Sequence, residues 1–310
     1  MFVIKKIFSL IVTMWVIITV TFVIMHSIPG DPFSNDSKAL SESQLNNMKA
    51  KFHLDQPLHI QYLIYLKNII QLDLGPSIQS ETRTVNTIIS EGFGASALLG
   101  IQSIIIALIG GIFLGTLAAI YKQKFMDFLA LFLAIIGISV PSFILAPLLI
   151  KYFGVEWNLL PIANFDTWAH SVLPSIALAV GPLAIITRYV RSSMIEVLSS
   201  DYIRTVRAKG LPTSYIILQH ALRNTLLPVI TFIGPLFASV VTGTFVIEKV
   251  FSIPGIGKYF VESIFNRDYP VIMGTTIFYS FILLITLLLV DLCYRIIDPR
   301  ISLRSGEKIE

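Results

Sequence analysis

The sequence predicts an all-α integral membrane protein with six transmembrane helices and both termini on the cytoplasmic side. Three observations predict it. Of 310 residues, 55% are hydrophobic and only 14% charged, with a mean hydropathy of +0.77; a soluble domain carries roughly 25% charge. Six apolar runs, 7–25, 95–120, 128–150, 172–187, 225–247 and 271–290, contain no Asp, Glu, Lys or Arg. A bilayer core takes about 20 apolar residues per helix, and a charge at its centre costs about 2.5–3.5 kcal/mol. Finally, 14 of the 23 basic residues fall in the segments that are internal if the N-terminus is inside. The two short outer loops hold only Lys151, Lys249, Lys258 and Arg267. Basic residues mark the cytoplasmic side of a membrane protein, so the net charge of +4 reflects orientation and not nucleic-acid binding.

The first run follows Lys5 and Lys6. Its length, and the absence of a small-x-small site in Ser27-Ile28-Pro29-Gly30-Asp31, make it an anchor and not a cleaved signal. The outer segment 27–94 carries two helices. Ser41-Glu42-Ser43-Gln44 opens one that runs through Phe52, with Ser as an N-cap. Ile60, Leu63, Ile64, Leu66 and Ile70 recur at helical spacing in a second over 58–70. Together they cap the outer face of the spans. Pro141 and Pro147 interrupt the third run, Pro174, Gly181 and Pro182 the fourth, and Pro235 the fifth. Spans tolerate lost backbone hydrogen bonds only where neighbours or a polar cavity replace them. Each break is therefore either a tolerated kink or a gate hinge.

The inner segment 188–224 is far longer than the 2–8 residues of an ordinary helix connection. Ser199, Ser200 or Asp201 can cap a helix beginning near Tyr202. Tyr202, Ile203 and Val206 form an apolar stripe with Arg204, Arg207 and Lys209 around it. Gly210 suits a left-handed C-cap, and Pro212 stops the helix. Thr213 or Ser214 then caps a second helix that runs into the fifth span. Such a stripe fits a groove on another protein or an anionic lipid surface, and the residues alone leave both open. In the outer segment 248–270, Pro254-Gly255-Ile256-Gly257 forces a break, read as an entrance element or an interfacial hairpin.

Several classes are excluded. The single cysteine, Cys293, allows neither an intrachain disulfide nor a Cys-rich metal site. No Gly-x-x-x-x-Gly-Lys-Ser/Thr or His-Glu-x-x-His occurs, and no span holds paired acids, so no nucleotide site, metal ligand or catalytic residue is assigned. A secondary transporter or channel would show ionisable residues at mid-span and an internal repeat. Here Asp291 and His26 lie only at span ends.

SSDYIRTVRAKGLPTSYIILQHALRNTLLPVIT (199–231) closely resembles the cytoplasmic loop of B-type permease subunits of oligopeptide and dipeptide ABC importers. HSIPGDPF (26–33), LDQPLHIQYLIYLK (54–67), ISVPSFILAPLL (138–149), LPSIALAVGPLAIITR (173–188), TGTFVIEKVFSIPGIGKYFVESIFNRDYPVIMG (242–274) and DLCYRIIDPRI (291–301) agree with the same family in the same order. The resemblance implies a type I ABC importer permease fold in a bacterial cell membrane. Residues 1–94 would hold the first span and an extracytoplasmic segment, 95–297 the five-helix transporter domain, and 298–310 a cytoplasmic tail. Asp201, Tyr202, Arg204, Arg207, Lys209, Gly210 and Leu211 would form the loop that docks on a cytoplasmic ATPase. Arg204, Thr205 and Val206 stand where the wider superfamily has Glu-Ala-Ala, so no acidic contact is carried over. Pro182, Pro254, Gly255 and Gly257 are candidate gate or entrance residues. The implied partners are a second, homologous permease subunit, two ATPase subunits, an extracytoplasmic peptide-binding protein, peptide and membrane lipid. ATP and Mg would be bound by the ATPases, leaving this chain without a cofactor and without enzymatic activity. Nickel complexes and glutathione are alternative substrates of the same subunit type.

Overall fold

The computed structural model describes residues 2–27, 42–80 and 82–297. The segments 28–41, with the expected Ser41 cap, and 298–310, with the expected tail, lie outside the described residues, as do the side chains of Pro228, Pro235 and Cys293. The regular elements described are helical. They are α1 Phe2–Ser27, α2 Glu42–Lys51, α3 Leu58–Ile70, α4 Val85–Ile120, α5 Phe125–Ser139, α6 Ser142–Leu149, α7 Ala169–Ser199, α8 Asp201–Ala208, α9 Thr213–Tyr215, α10 Leu222–Val250, α11 Ile256–Asn266 and α12 Tyr269–Ile297. Two π-helical segments, Ile150–Glu156 and Ile216–Ala221, follow α6 and α9.

The chain divides into two compact units, Met1–Gly94 with Pro254–Leu284 and Ala95–Ile253 with Ile285–Glu310. In the first, α1 and α3 meet along one stripe. Ile18 and Phe22 are buried, and Phe22 packs on Tyr62 and Tyr65 at 5.2 and 5.8 Å between ring centroids. Thr19 Oγ1 and the Tyr62 hydroxyl lie 2.6 Å apart. Phe8, Ile11, Trp15 and Val23 of α1 are exposed and apolar, as a helix solvated by lipid requires. Asp268 organises the other end of this unit. Its buried carboxylate accepts the Ser77 hydroxyl and the amides of Ile78 at 3.1 Å, Gln79 at 3.3 Å and Val271 at 3.4 Å. It thereby caps α12 and pins the turn before α4.

Among the described residues four helices, α1, α4, α7 and α12, are long and apolar enough to cross a membrane. The third expected run is not one straight helix. Pro141 has no N–H and its ring disfavours helical backbone at the preceding residue, so Val140 is extended, with φ −91° and ψ 113°. The chain restarts at Ser142 after a 105° bend; if the pair counts as one span, five helices qualify. The fourth run is longer than expected. Pro174 and Pro182 sit inside a continuous 31-residue α7 that extends past Thr187 to Ser199.

In the second unit α7 packs against α5 and α10. Glycines set its approach to α4 and α5. A Cβ on Gly115 of α4 would stand 2.6 Å from the Thr187 carbonyl, and one on Gly137 of α5 would stand 3.0 Å from Ala184 Cβ. Leu99, Leu173, Ile247 and Phe251 fill one core cluster; Met194, Ile203, Ile216 and Ala221 fill another.

Candidate functional site

The segment after α7 does form a short, separate helix. Ser200 breaks α7 by turning extended, with φ −71° and ψ 153°, and α8 begins at the next residue. The expected hydroxyl cap is not made, because Ser200 Oγ donates back to the Val197 carbonyl at 2.6 Å. Gly210 adopts φ +74°, the left-handed conformation that glycine takes without steric cost. Nor do Thr213 and Ser214 cap the next helix: Pro212 occupies that position, and α9 starts at Thr213.

Of the α8 stripe, Ile203 and Val206 face their own protein. Ile203 is fully buried against Met194, Ile216, Ile217 and Ala221, with Val206 packed on the same cluster. It seats α8 on its own protein and is not available to a partner. The opposite side is polar and open. Asp201, Arg204, Arg207, Lys209, Gly210 and Leu211 are all exposed. Arg204 and Asp201 form an exposed pair at 3.6 Å, which adds only about 0–1 kcal/mol. Tyr202 is exposed on its ring, but its hydroxyl is tied inward. It accepts from Asn224 Nδ2 at 2.7 Å and donates to the His220 carbonyl at 3.3 Å, bracing α8 against the start of α10. The geometry thus presents a rigid, cation-rich knob on a hydrophobic seat.

Two buried polar contacts in the second unit have no clear signal in the sequence. Asp127, at the start of α5, is 2% exposed and holds Arg191 of α7 bidentately, with Nε–Oδ1 at 2.5 Å and Nη2–Oδ2 at 2.8 Å. The Gln123 amide donates to the same carboxylate at 2.8 Å. An acid next to one apolar run and an arginine after another are each visible in the sequence, but their pairing is not. Glu248, which the sequence places in an outer loop, is instead a buried residue of α10 that accepts the Ser96 hydroxyl at 2.6 Å.

Pro182 lines a cavity of about 220 Å³ in the second unit, with Gly137, Pro141, Ser142, Leu178 and Gly181 among its walls. Pro254 is exposed, whereas Gly255 and Gly257 are buried. A Cβ on Gly92 would stand 2.7 Å from the Ile256 amide nitrogen, so the Gly255–Ile256 backbone lies directly on the first turns of α4. No group of three or more metal-ligating side chains occurs among the described residues.

Residues 111–303 match the family described as binding-protein-dependent transport system inner membrane component, and residues 1–85 match the N-terminal family of the same systems. The chain belongs to this family. It is an integral membrane component of a transport system, with the long apolar helices that role requires. It is 55% identical over 304 residues to the dipeptide transport system permease protein DppB of Bacillus subtilis (strain 168), covering 98% of each chain. To DppB of Lactococcus lactis subsp. cremoris it is 43% identical, covering 97% of this chain and 99% of that one. The oligopeptide transport system permease protein OppB of Salmonella typhimurium is 39% identical, at 97% and 98% coverage. Among solved structures, a chain of the inward-facing MetNI methionine ABC transporter superposes with a TM-score of 0.54, at 17% identity, over 68% of this chain and 94% of that one. An amino acid ABC transporter chain superposes with a TM-score of 0.51 at 16% identity, over 67% and 92%. At those identities the likeness shows an ABC permease fold and nothing finer.

Proposed function

We propose that the chain is the transmembrane permease subunit of an ATP-driven bacterial importer of oligopeptides or dipeptides. The observation that carries this reading is the end-to-end match to relatives named dipeptide and oligopeptide permeases, 38–55% identical over 97–98% of the chain. On this reading six helices span the plasma membrane with both termini cytoplasmic. The partners are a homologous permease subunit, two ATPase subunits and an extracytoplasmic peptide-binding protein. The ATPases bind ATP and Mg and perform the hydrolysis.

The exposed side of α8, with Arg204, Arg207, Lys209, Gly210 and Leu211, docks on an ATPase. Closure of the ATPases displaces α8 as a unit, since Ile203 and the Tyr202 bonds fasten it to the protein. The motion passes into α7 across one extended residue and into α5 through the Asp127–Arg191 pair, a rigid-body lever. It drives transport only where α8 makes different contacts in the two states. Pro182 and the Pro254, Gly255 and Gly257 turn are the gate and entrance elements of the pathway on the same reading.

The test is co-purification of the assembled complex carrying Arg207→Glu or Gly210→Pro. Both variants insert normally, lose ATPase subunits on purification and fail to import peptide. Full import by both would show that α8 does not carry the coupling.

A further inference from the structure

Two prolines open the same cavity. In a helix the carbonyl of residue i accepts from the amide of residue i+4, and a proline there has no N–H to give. Pro182 stands four residues after Leu178 within α7, and Gly137 lies in the last turn of α5, which ends before Pro141 and so gives its carbonyl no i+4 donor. All four residues line the cavity of about 220 Å³ at the α5–α6 break. The Gly137 carbonyl lies 3.9 Å from the place a Gly181 Cβ would occupy, so it faces α7 beside Gly181. Ser142 brings donors to the same cavity. It supplies a hydroxyl and the first amide of α6, which has no partner within its helix. The remaining walls, with Ile138, Val140, Val180 and Val240, are apolar, and no charged residue takes part.

Backbone groups without partners are tolerated at membrane depth where they line a cavity. Left unmet in an apolar setting they are unfavourable, so they favour a ligand that meets them. Carbonyl acceptors beside a serine donor, with no charge to balance an ion, complement a neutral amide. The volume falls below the roughly 300–1,000 Å³ of sites that enclose a whole ligand, so it suits part of one. We infer that this cavity is a subsite for one main-chain amide of the translocating peptide, with the ligand N–H donating to the Leu178 and Gly137 carbonyls and its C=O accepting from Ser142. The inference rests on the peptide reading above and adds a mechanism for tolerance of side-chain sequence: the contacts are to groups that every peptide carries.

The test is a cycle of variants and ligands. The complete complex, reconstituted in proteoliposomes, is assayed for uptake of trialanine and of its singly N-methylated analogues, each normalised to its affinity for the binding protein. Pro182→Ala restores a donor to the Leu178 carbonyl within α7. In the wild type, N-methylation at one position lowers kcat/KM by about tenfold, the effect of one lost hydrogen bond of ordinary strength. In Pro182→Ala that sensitivity falls to about threefold or less, because one of the two carbonyls is already occupied. Pro174→Ala, which alters α7 away from the cavity, keeps the full sensitivity. Retained tenfold sensitivity in Pro182→Ala, or its absence at every position in the wild type, overturns the subsite. A wild-type complex that imports neither dialanine nor trialanine overturns the peptide reading itself.

Discussion

Replacing Ile203 by alanine separates the seat of α8 from its outer face. Ile203 is fully buried among Met194, Ile216, Ile217 and Ala221. Such a truncation costs about 2–5 kcal/mol in lost burial and residual cavity. Beyond Ile203, α8 is held by Val206 on the same cluster and by the Tyr202 hydroxyl bonds to Asn224 and His220. It is eight residues long, below the roughly 12–15 at which an isolated helix becomes stable in water. Its exposed Asp201–Arg204 pair contributes at most about 1 kcal/mol. Ile203→Ala should therefore raise the open population of α8 by roughly 30-fold to several thousand-fold. Hydrogen–deuterium exchange on the reconstituted complex reads this directly as faster exchange over 201–208. Arg207→Ala, on the exposed side, should leave that exchange within about twofold in the isolated permease pair. Unchanged protection in Ile203→Ala, or an equal loss in Arg207→Ala, would refute the division of α8 into a buried seat and a free face.

Arg191→Met leaves the Asp127 carboxylate buried without its partner and should cost about 3–5 kcal/mol, lowering the melting temperature of the purified complex. Adding Asp127→Asn removes the stranded charge and should restore most of that loss; no recovery would mean that the pair is incidental. Gly115→Ala drives a methyl into the Thr187 carbonyl and should cost about 1–3 kcal/mol, whereas Gly94→Ala meets nothing within 4 Å and should be neutral or slightly stabilising in the same melting assay. Asp268→Ala strands the Ile78 and Gln79 amides and should expose the turn before α4 to protease, with a loss of about 2–4 kcal/mol.

Much of this architecture can be read from the chain because lipid solvation leaves a coarse signal. A run free of charge over about 20 residues matches the thickness of a bilayer core, and the helix at 58–70 follows from the helical spacing of Ile60, Leu63, Ile64, Leu66 and Ile70. Gly210 is legible because a glycine followed by Leu-Pro can end a helix in few ways. The inward face of α8 is not legible. Periodicity shows that Tyr202, Ile203 and Val206 share a side, but which body covers that side depends on Ile216 and Ala221, supplied by the next helix. The 105° break at Val140–Pro141 and the unbroken course of α7 through Pro174 and Pro182 show the same limit. All of these prolines lack an amide, and neighbouring packing decides which one ends its helix. Asp127, Arg191, Glu248 and Asp268 are hidden because long-range pairs leave no local pattern.

The most direct test reconstitutes the permease pair in vesicles with loaded binding protein outside and follows radiolabelled dipeptide inside. With the ATPase subunits and ATP present, the dipeptide should accumulate against its gradient, and Arg207→Glu should abolish that accumulation. Without the ATPases, the dipeptide should at most equilibrate. Uphill accumulation by the permease pair alone would contradict the account.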